Sequence, residues 1–178
     1  MKLDFKQEVN IPDGCKVEFS SGILKIKKDD KEITREFSGF NMEIKDNLII
    51  LSKKKSTKND KTAIRTATAH IKNMLEGVGN LFTYKLQICS THFPMTVEKK
   101  GSQLVIKNFL GERHDRVAKL LTDVDVKVEG DQITIESHDK EKAGQTAANI
   151  ESATRINNRD RRRFQDGIYI TEKAGKEI

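Results

Sequence analysis

Between residues 155 and 163 the chain sets five arginines and two asparagines within nine positions: Arg155, Asn157, Asn158, Arg159, Arg161, Arg162 and Arg163. A guanidinium group is a planar fork that meets two phosphate oxygens at once. Asparagine amides reach base edges or a ribose 2′-hydroxyl. The stretch therefore suits a polyanion, and RNA is the first reading. On charge alone a solvated basic terminus stands beside it. Phe164, Ile168, Tyr169 and Ile170 follow at once, and a solvated tail has little use for them. Asp166-Gly167 reads as a turn, because glycine tolerates positive φ. Tyr169 reads as packing against a sheet in preference to stacking on a base.

A second basic cluster, with Lys53, Lys54, Lys55, Lys58 and Lys61, reads as a loop in which an RNA contact and a solvated tip are equal alternatives. Asn108, Arg113, His114 and Arg116 follow a strand-like run and could touch RNA; a plain polar hairpin is the preferred alternative. Catalysis finds little support. His70, His92, His114 and His138 are scattered, without the paired spacing that metal ligation needs. Gly77-Val78-Gly79 follows a helical pattern, whereas a phosphate-cradling loop precedes a helix. No metal, no cofactor and no small-molecule substrate are expected.

The chain has 178 residues, with 33 Lys and Arg against 27 Asp and Glu, a net charge of +6. The excess sits mainly in the two clusters, and a local patch makes the field that a phosphate backbone feels. Cys15 and Cys89 lack CxxC spacing and read as free thiols in a reducing compartment. There is no apolar leader and no membrane-length apolar run. A soluble intracellular protein is expected, with no membrane partner.

The elements that must position these residues come as a repeat. Val17-Glu18-Phe19, Gly22 and Leu24-Lys25-Ile26-Lys27 are answered by Val97-Glu98-Lys99, Gly101 and Leu104-Val105-Ile106-Lys107. Met42–Leu51 is answered by Val124–Ile135. Alternating apolar residues predict strands, and Asp46-Asn47 and Gly130-Asp131 predict hairpin turns. Ile64, Ala67, Ile71, Met74, Leu75 and Val78 make one helix stripe over 61–79, with Gly77 and Gly79 as its stop. Ala143, Ala147, Ile150 and Ala153 make a thinner stripe over 140–154. Phe82 to Ser90 reads as a strand joining the halves. The expected fold is α+β: two tandem homologous units, each a small antiparallel sheet with one helix on a face. The expected domains are residues 1–81, and residues 82–178 with the basic tail.

Repeat and tail together resemble large-subunit ribosomal protein six, called protein nine of the large subunit in eukaryotes. The most specific stretch is Ile156-x-x-Arg159-x-x-Arg162-x-Phe164-x-Asp166-Gly167-Ile168-Tyr169-Ile170-x-x-Lys173, which resembles the C-terminal signature of the archaeal and eukaryotic branch. Asn108 to Glu112, Gln145 to Ile150, and Arg65-Thr66, His70-Ile71, Asn73-Met74 and Gly77-Val78 resemble further family segments. Ser152 stands where the signature usually opens with Gln, and the basic segment before the first helix is shorter than the eukaryotic one and lacks its tryptophans.

The resemblance implies a structural component of the large subunit that binds its rRNA near the stalk base and the sarcin–ricin loop, supporting assembly and translation. It implies Arg155, Asn157, Asn158, Arg159, Arg161, Arg162, Arg163 and Lys173 as rRNA contacts; the reading of charge and position, and not the resemblance, adds Lys53, Lys54, Lys55, Lys58, Asn108 and Arg113 as secondary ones. Neighbouring ribosomal proteins are implied partners, translation factors lie nearby, and no homo-oligomer is expected. The location implied is the cytoplasmic large subunit, with nucleolar assembly in a eukaryote. A non-ribosomal tandem α+β module that binds protein or RNA is the alternative, discriminated by whether the tail governs RNA affinity. A small RNA-acting enzyme is the third reading, discriminated by RNA turnover.

Overall fold

A computed structural model describes residues 3–29, 31–45, 47–160 and 162–178. The chain divides into two compact units, Met1–Asn80 and Leu81–Ile178.

The first unit runs β1 (Leu3–Asn10), β2 (Lys16–Ser20), β3 (Ile23–Lys28), β4 (Lys31–Glu36), β5 (Asn41–Lys45), β6 (Leu48–Ser56) and α1 (Lys58–Gly79). It holds two antiparallel sheets, ordered β2-β3-β4 and β1-β6-β5. The alternation in β3 places Leu24 and Ile26 fully inside, between exposed Ile23, Lys25 and Lys27. Ile49 and Leu51 are fully inside in β6, between half-buried Leu48, Ile50 and Ser52. The expected stripe of α1 is buried as a set, and with these strand residues it forms one core. Thr57 caps α1: its hydroxyl accepts from Asp60 N, while the Asp60 carboxylate accepts from Thr57 N. Gly77 does not stop the helix but is buried inside it; the helix ends at Gly79, and Asn80 leaves in extended conformation. The β5–β6 register pairs Lys45 with Leu48, while Asp46 of the expected turn lies outside the described residues.

The second unit runs β7 (Phe82–Cys89), β8 (Thr96–Lys100), β9 (Gln103–Lys107), a 3-10 turn (Phe109–Gly111), β10 (Arg116–Lys119), β11 (Asp125–Glu129), β12 (Gln132–Ser137), α2 (Lys140–Ala153), β13 (Gly167–Lys173) and β14 (Lys176–Glu177). Its sheets are β10-β9-β8 and β11-β12-β7-β13-β14. Both units are α+β and antiparallel with one helix each, but the single sheet read for each unit is two. The strand read as a joiner is β7, which lies inside the second sheet between β12 and β13. Small residues let α2 approach that sheet closely. A Cβ on Gly144 would lie 3.1 Å from the Tyr84 hydroxyl.

The repeat shows in register as well as in order. Ile11 N donates to Asn47 O, and Ile88 N donates to Asp131 O, both at 2.8 Å. In each unit the strand before this bond pairs with the strand after the hairpin: β1 with β6, and β7 with β12. Strands β13 and β14 have no counterpart among the described residues of the first unit.

Candidate nucleic-acid interface

The basic stretch is a loop held at both ends. At its start, Asp139 caps α2 by accepting from Glu141 N and Lys142 N, and the helix ends at Thr154. The buried Thr154 hydroxyl donates to Glu151 O at 3.1 Å and accepts from Ile168 N at 2.9 Å, so it ties the helix end to β13. Arg116 adds a second tie. One of its terminal nitrogens donates to Ala153 O and Arg155 O, each at 3.0 Å. Its remaining donors fork onto Glu112 at 2.8 and 2.6 Å, and its plane lies 4.2 Å from the Phe109 ring centroid. Arg116 is therefore engaged by protein groups. Asn108 is likewise engaged: its amide donates to Pro94 O at 2.9 Å, at a left-handed φ of 57°. Arg113 lies exposed in the bend that follows.

At the other end of the loop, Asp166 is 2% exposed. Its carboxylate accepts from the Thr91 hydroxyl, from His92 N at 3.1 Å and from His92 Nδ1 at 2.8 Å. Burial pushes this carboxyl upward, and the Thr91 and His92 hydrogen bonds outweigh burial and hold it at about 2. The His92 ring stacks on Phe164 at 4.8 Å, and the Arg159 guanidinium covers the same ring at 4.9 Å. Arg159, Phe164, His92 and Asp166 thus form one connected stack.

Asp166 and Gly167 were expected to form the turn, but the chain reverses earlier. Arg163 N and Phe164 N both donate to Asp160 O, at 3.1 and 2.9 Å. Gly167 is already the first residue of β13, paired with Cys89, with φ of +157°. Its need for glycine has two sources: L side chains rarely adopt this φ, and a Cβ there would meet the Tyr169 ring at 3.0 Å. Tyr169 lies back along its own strand, and its hydroxyl donates to Gln165 O at 3.1 Å.

The side chains of Arg155, Asn157, Asn158, Arg159 and Arg163 are exposed, as is Lys173 on β13. Arg162 is 89% exposed, but its guanidinium forks onto Asp160, and this hydrogen bonding holds the Asp160 carboxyl below its ordinary range. Arg161 lies outside the described residues. The loop therefore presents guanidinium and amide groups to solvent on a backbone fixed by Thr154 and Arg116 on one side and Asp166 on the other.

The cluster at Lys53 to Lys61 is not a loop. Lys53, Lys54 and Lys55 lie in β6, Lys58 and Lys61 lie in the first turns of α1, and only Thr57 separates the elements. Lys53 is bound to Asp60 at 2.7 Å, which holds the Asp60 carboxyl well below the usual range. Lys54, Lys55 and Lys58 are exposed. His70 Nδ1 accepts from Arg35 at 3.0 Å, so His70 serves structure. No cluster of His, Cys, Asp and Glu suited to a metal ion occurs among the described residues. No helix among them is long and apolar enough to cross a membrane. Cys15 and Cys89 are free thiols.

Thr91, His92, Thr154 and Arg116 are the positioning residues that sequence reading missed. Thr91 and His92 lie about seventy-five positions from Asp166, and no local pattern couples such distant groups.

Residues 93–167 match the family model described as Ribosomal protein L6. The chain is 42% identical over 173 residues to a Large ribosomal subunit protein uL6 of Methanococcus vannielii, covering 96% of this chain and 95% of the relative. It is 44% identical over 183 residues to the protein of the same name from Nanoarchaeum equitans, covering 97% and 95%.

Proposed function

This chain belongs to the ribosomal protein L6 family, and from that premise we propose that its second unit binds large-subunit rRNA through the loop 155–163 and Lys173. The coarser role is that of a structural, non-catalytic constituent of the large ribosomal subunit, with rRNA and neighbouring ribosomal proteins as partners. The finer placement is at the stalk base beside the sarcin–ricin loop, as a monomer, where the protein supports assembly and lies close to bound translation factors. Arg155, Asn157, Asn158, Arg159, Arg161, Arg162, Arg163 and Lys173 are its contacts, and Lys54, Lys55, Lys58 and Arg113 extend the footprint.

The observation that carries this reading is the double anchoring of the loop. Ordering a flexible segment on binding costs about 1 to 2 kcal/mol per residue of backbone. The ties at Thr154, Arg116 and Asp166 bear that cost in the folded protein, so phosphate contacts convert more fully into affinity. Arg162 exchanges an aspartate for a phosphate on binding, two acceptors of matching geometry.

The test is the salt dependence of binding to large-subunit rRNA fragments. Changing Arg155, Arg162 and Arg163 together to Ala is expected to flatten the log–log salt slope by roughly 2 to 3 while the protein stays folded. An unchanged slope removes the loop from the interface.

A further inference from the structure

The two units part company at one edge. In the second, β7 is flanked by β12 on one side and by β13 on the other. In the first, the equivalent strand β1 has β6 as its only strand neighbour among the described residues. The registers fix the correspondence. Ile11 matches Ile88 through the shared bond to the hairpin, so Asn10 matches Gln87, Val9 matches Leu86 and Glu8 matches Lys85. The helices align on their buried sets: Ile64, Ala67, Thr68 and Ile71 have the spacing of Ala143, Thr146, Ala147 and Ile150. Lys72 therefore matches Glu151, and Leu75 matches Thr154.

These positions are where β13 sits in the second unit. Ile168 lies opposite Ile88, Ile170 lies opposite Leu86, and their amides donate to Thr154 and Glu151. In the first unit the matching residues line a cleft of about 420 Å³, bounded by Glu8, Val9, Asn10, Lys72, Leu75 and Glu76. Val9 and Leu75, 4% and 7% exposed, form its apolar floor.

Backbone direction completes the picture. Ile11 N points to the hairpin side, and N–H groups alternate between the two edges of a strand. The amides of Lys6, Glu8 and Asn10 therefore point outward, as a template for another strand. Charge identifies what fits. In the second unit Lys85 binds Glu172 of the added strand at 2.7 Å. Its counterpart Glu8 is acidic, and its present ion partner is Lys6 of its own strand at 2.6 Å.

We propose that the β1 edge and the flank of α1 beside it dock an extended segment of a neighbouring protein. That segment adds antiparallel to β1, turns two apolar side chains toward Val9 and Leu75, and places a lysine or arginine beside Glu8. The proposal does not depend on the RNA loop, which lies in the other unit.

The probe is a seven-residue peptide with the sequence of residues 167–173 carrying Glu172→Lys, titrated into the isotope-labelled full chain. Amide shifts are expected at residues 6–10 and 72–76. Glu8→Lys is expected to weaken this peptide about threefold, a surface ion pair's effect, and to favour the peptide that keeps Glu172. Glu8→Pro removes one outward amide without taking a bond from β6, so it should abolish binding while the signals of α1 persist. Absence of shifts along β1, or indifference to the charge swap, would overturn the proposal. So would the same shifts arising from self-association without peptide, which would make a second copy the occupant. In the purified large subunit the amides of Lys6, Glu8 and Asn10 should exchange more slowly than in the free chain; equal rates would also overturn it.

Discussion

The first and second units are built on the same seven elements, yet they treat the edge of the main sheet in opposite ways. In the second unit the chain runs on past the helix, forms the basic loop and returns as β13 against β7. In the first the chain passes from α1 onward, and among the described residues no strand pairs with the other edge of β1. The contrast shows how a repeat acquires a binding loop. A segment that leaves a helix and comes back as a strand is fixed at both ends, and its middle can carry charges that contribute nothing to the core. The first unit has its own basic cluster at 53–61, but those residues occupy the end of the strand before the helix and the helix start. There Asp60 is at once the capping partner of Thr57 and the ion partner of Lys53.

The sharpest way to break the comparison is to remove the returning strand's anchor. Ile168 is fully buried, so Ile168→Ala should cost about 2 to 4 kcal/mol. Amide exchange should rise through β13 and the loop, and the first unit's core should keep its protection. Uniform loss of protection across both units would mean that β13 matters no more to one than to the other.

Asp166→Asn comes next. It weakens three hydrogen bonds to a buried carboxylate and should cost about 1 to 3 kcal/mol in denaturant unfolding. The sign with pH follows from the lowered carboxyl. Its stabilisation is complete above the unfolded value near 3.8 and is lost as pH falls through the folded value of about 2. Acid titration should therefore loosen β13 before the first unit's sheets, and the Asn variant should lose that difference. Coincident acid transitions in the wild-type chain would contradict the latch.

Gly167→Ala should destabilise by about 1 to 2 kcal/mol, because L side chains rarely adopt its φ and its Cβ meets the Tyr169 ring. A double change with Tyr169→Ala should cost less than the sum of the single changes, which a double-mutant cycle measures. Additivity would place the cost elsewhere. For the first unit, Thr57→Ala should cost about 1 kcal/mol by loss of the cap and leave the tail's exchange unchanged. The smallest effect on stability belongs to the loop. Arg162→Ala with Arg163→Ala should shift unfolding by under about 0.5 kcal/mol, since both side chains are exposed. A larger loss would show the loop to be structural in its own right.

Much of this was legible from sequence. Alternation located the strand around Leu24 and Ile26, because a half-buried strand must alternate, whereas Leu104, Val105 and Ile106 are buried in succession in β9. The three- and four-residue steps of Ile64, Ala67 and Ile71 located α1, because those steps face one way on a helix. The family signature marked the tail. The number of sheets was not legible, since each strand's pattern says only that one face is buried. The cluster at 53–61 misled for a related reason. A strand end and a helix start that meet at one residue carry the same lysines that a loop would.

Sequence by itself determined the α+β class, the tandem repeat, the basic segment and the family, because local periodicity and motif are properties of neighbouring residues. Tertiary structure alone decided that Asp166 is a buried acceptor for Thr91 and His92 and not part of a turn. It alone committed Arg116 to the helix end, and it alone paired one sheet edge with a returning strand while its twin has no such partner among the described residues. Each of these depends on groups far apart in the chain meeting within hydrogen-bond distance, and only the packed fold sets that geometry.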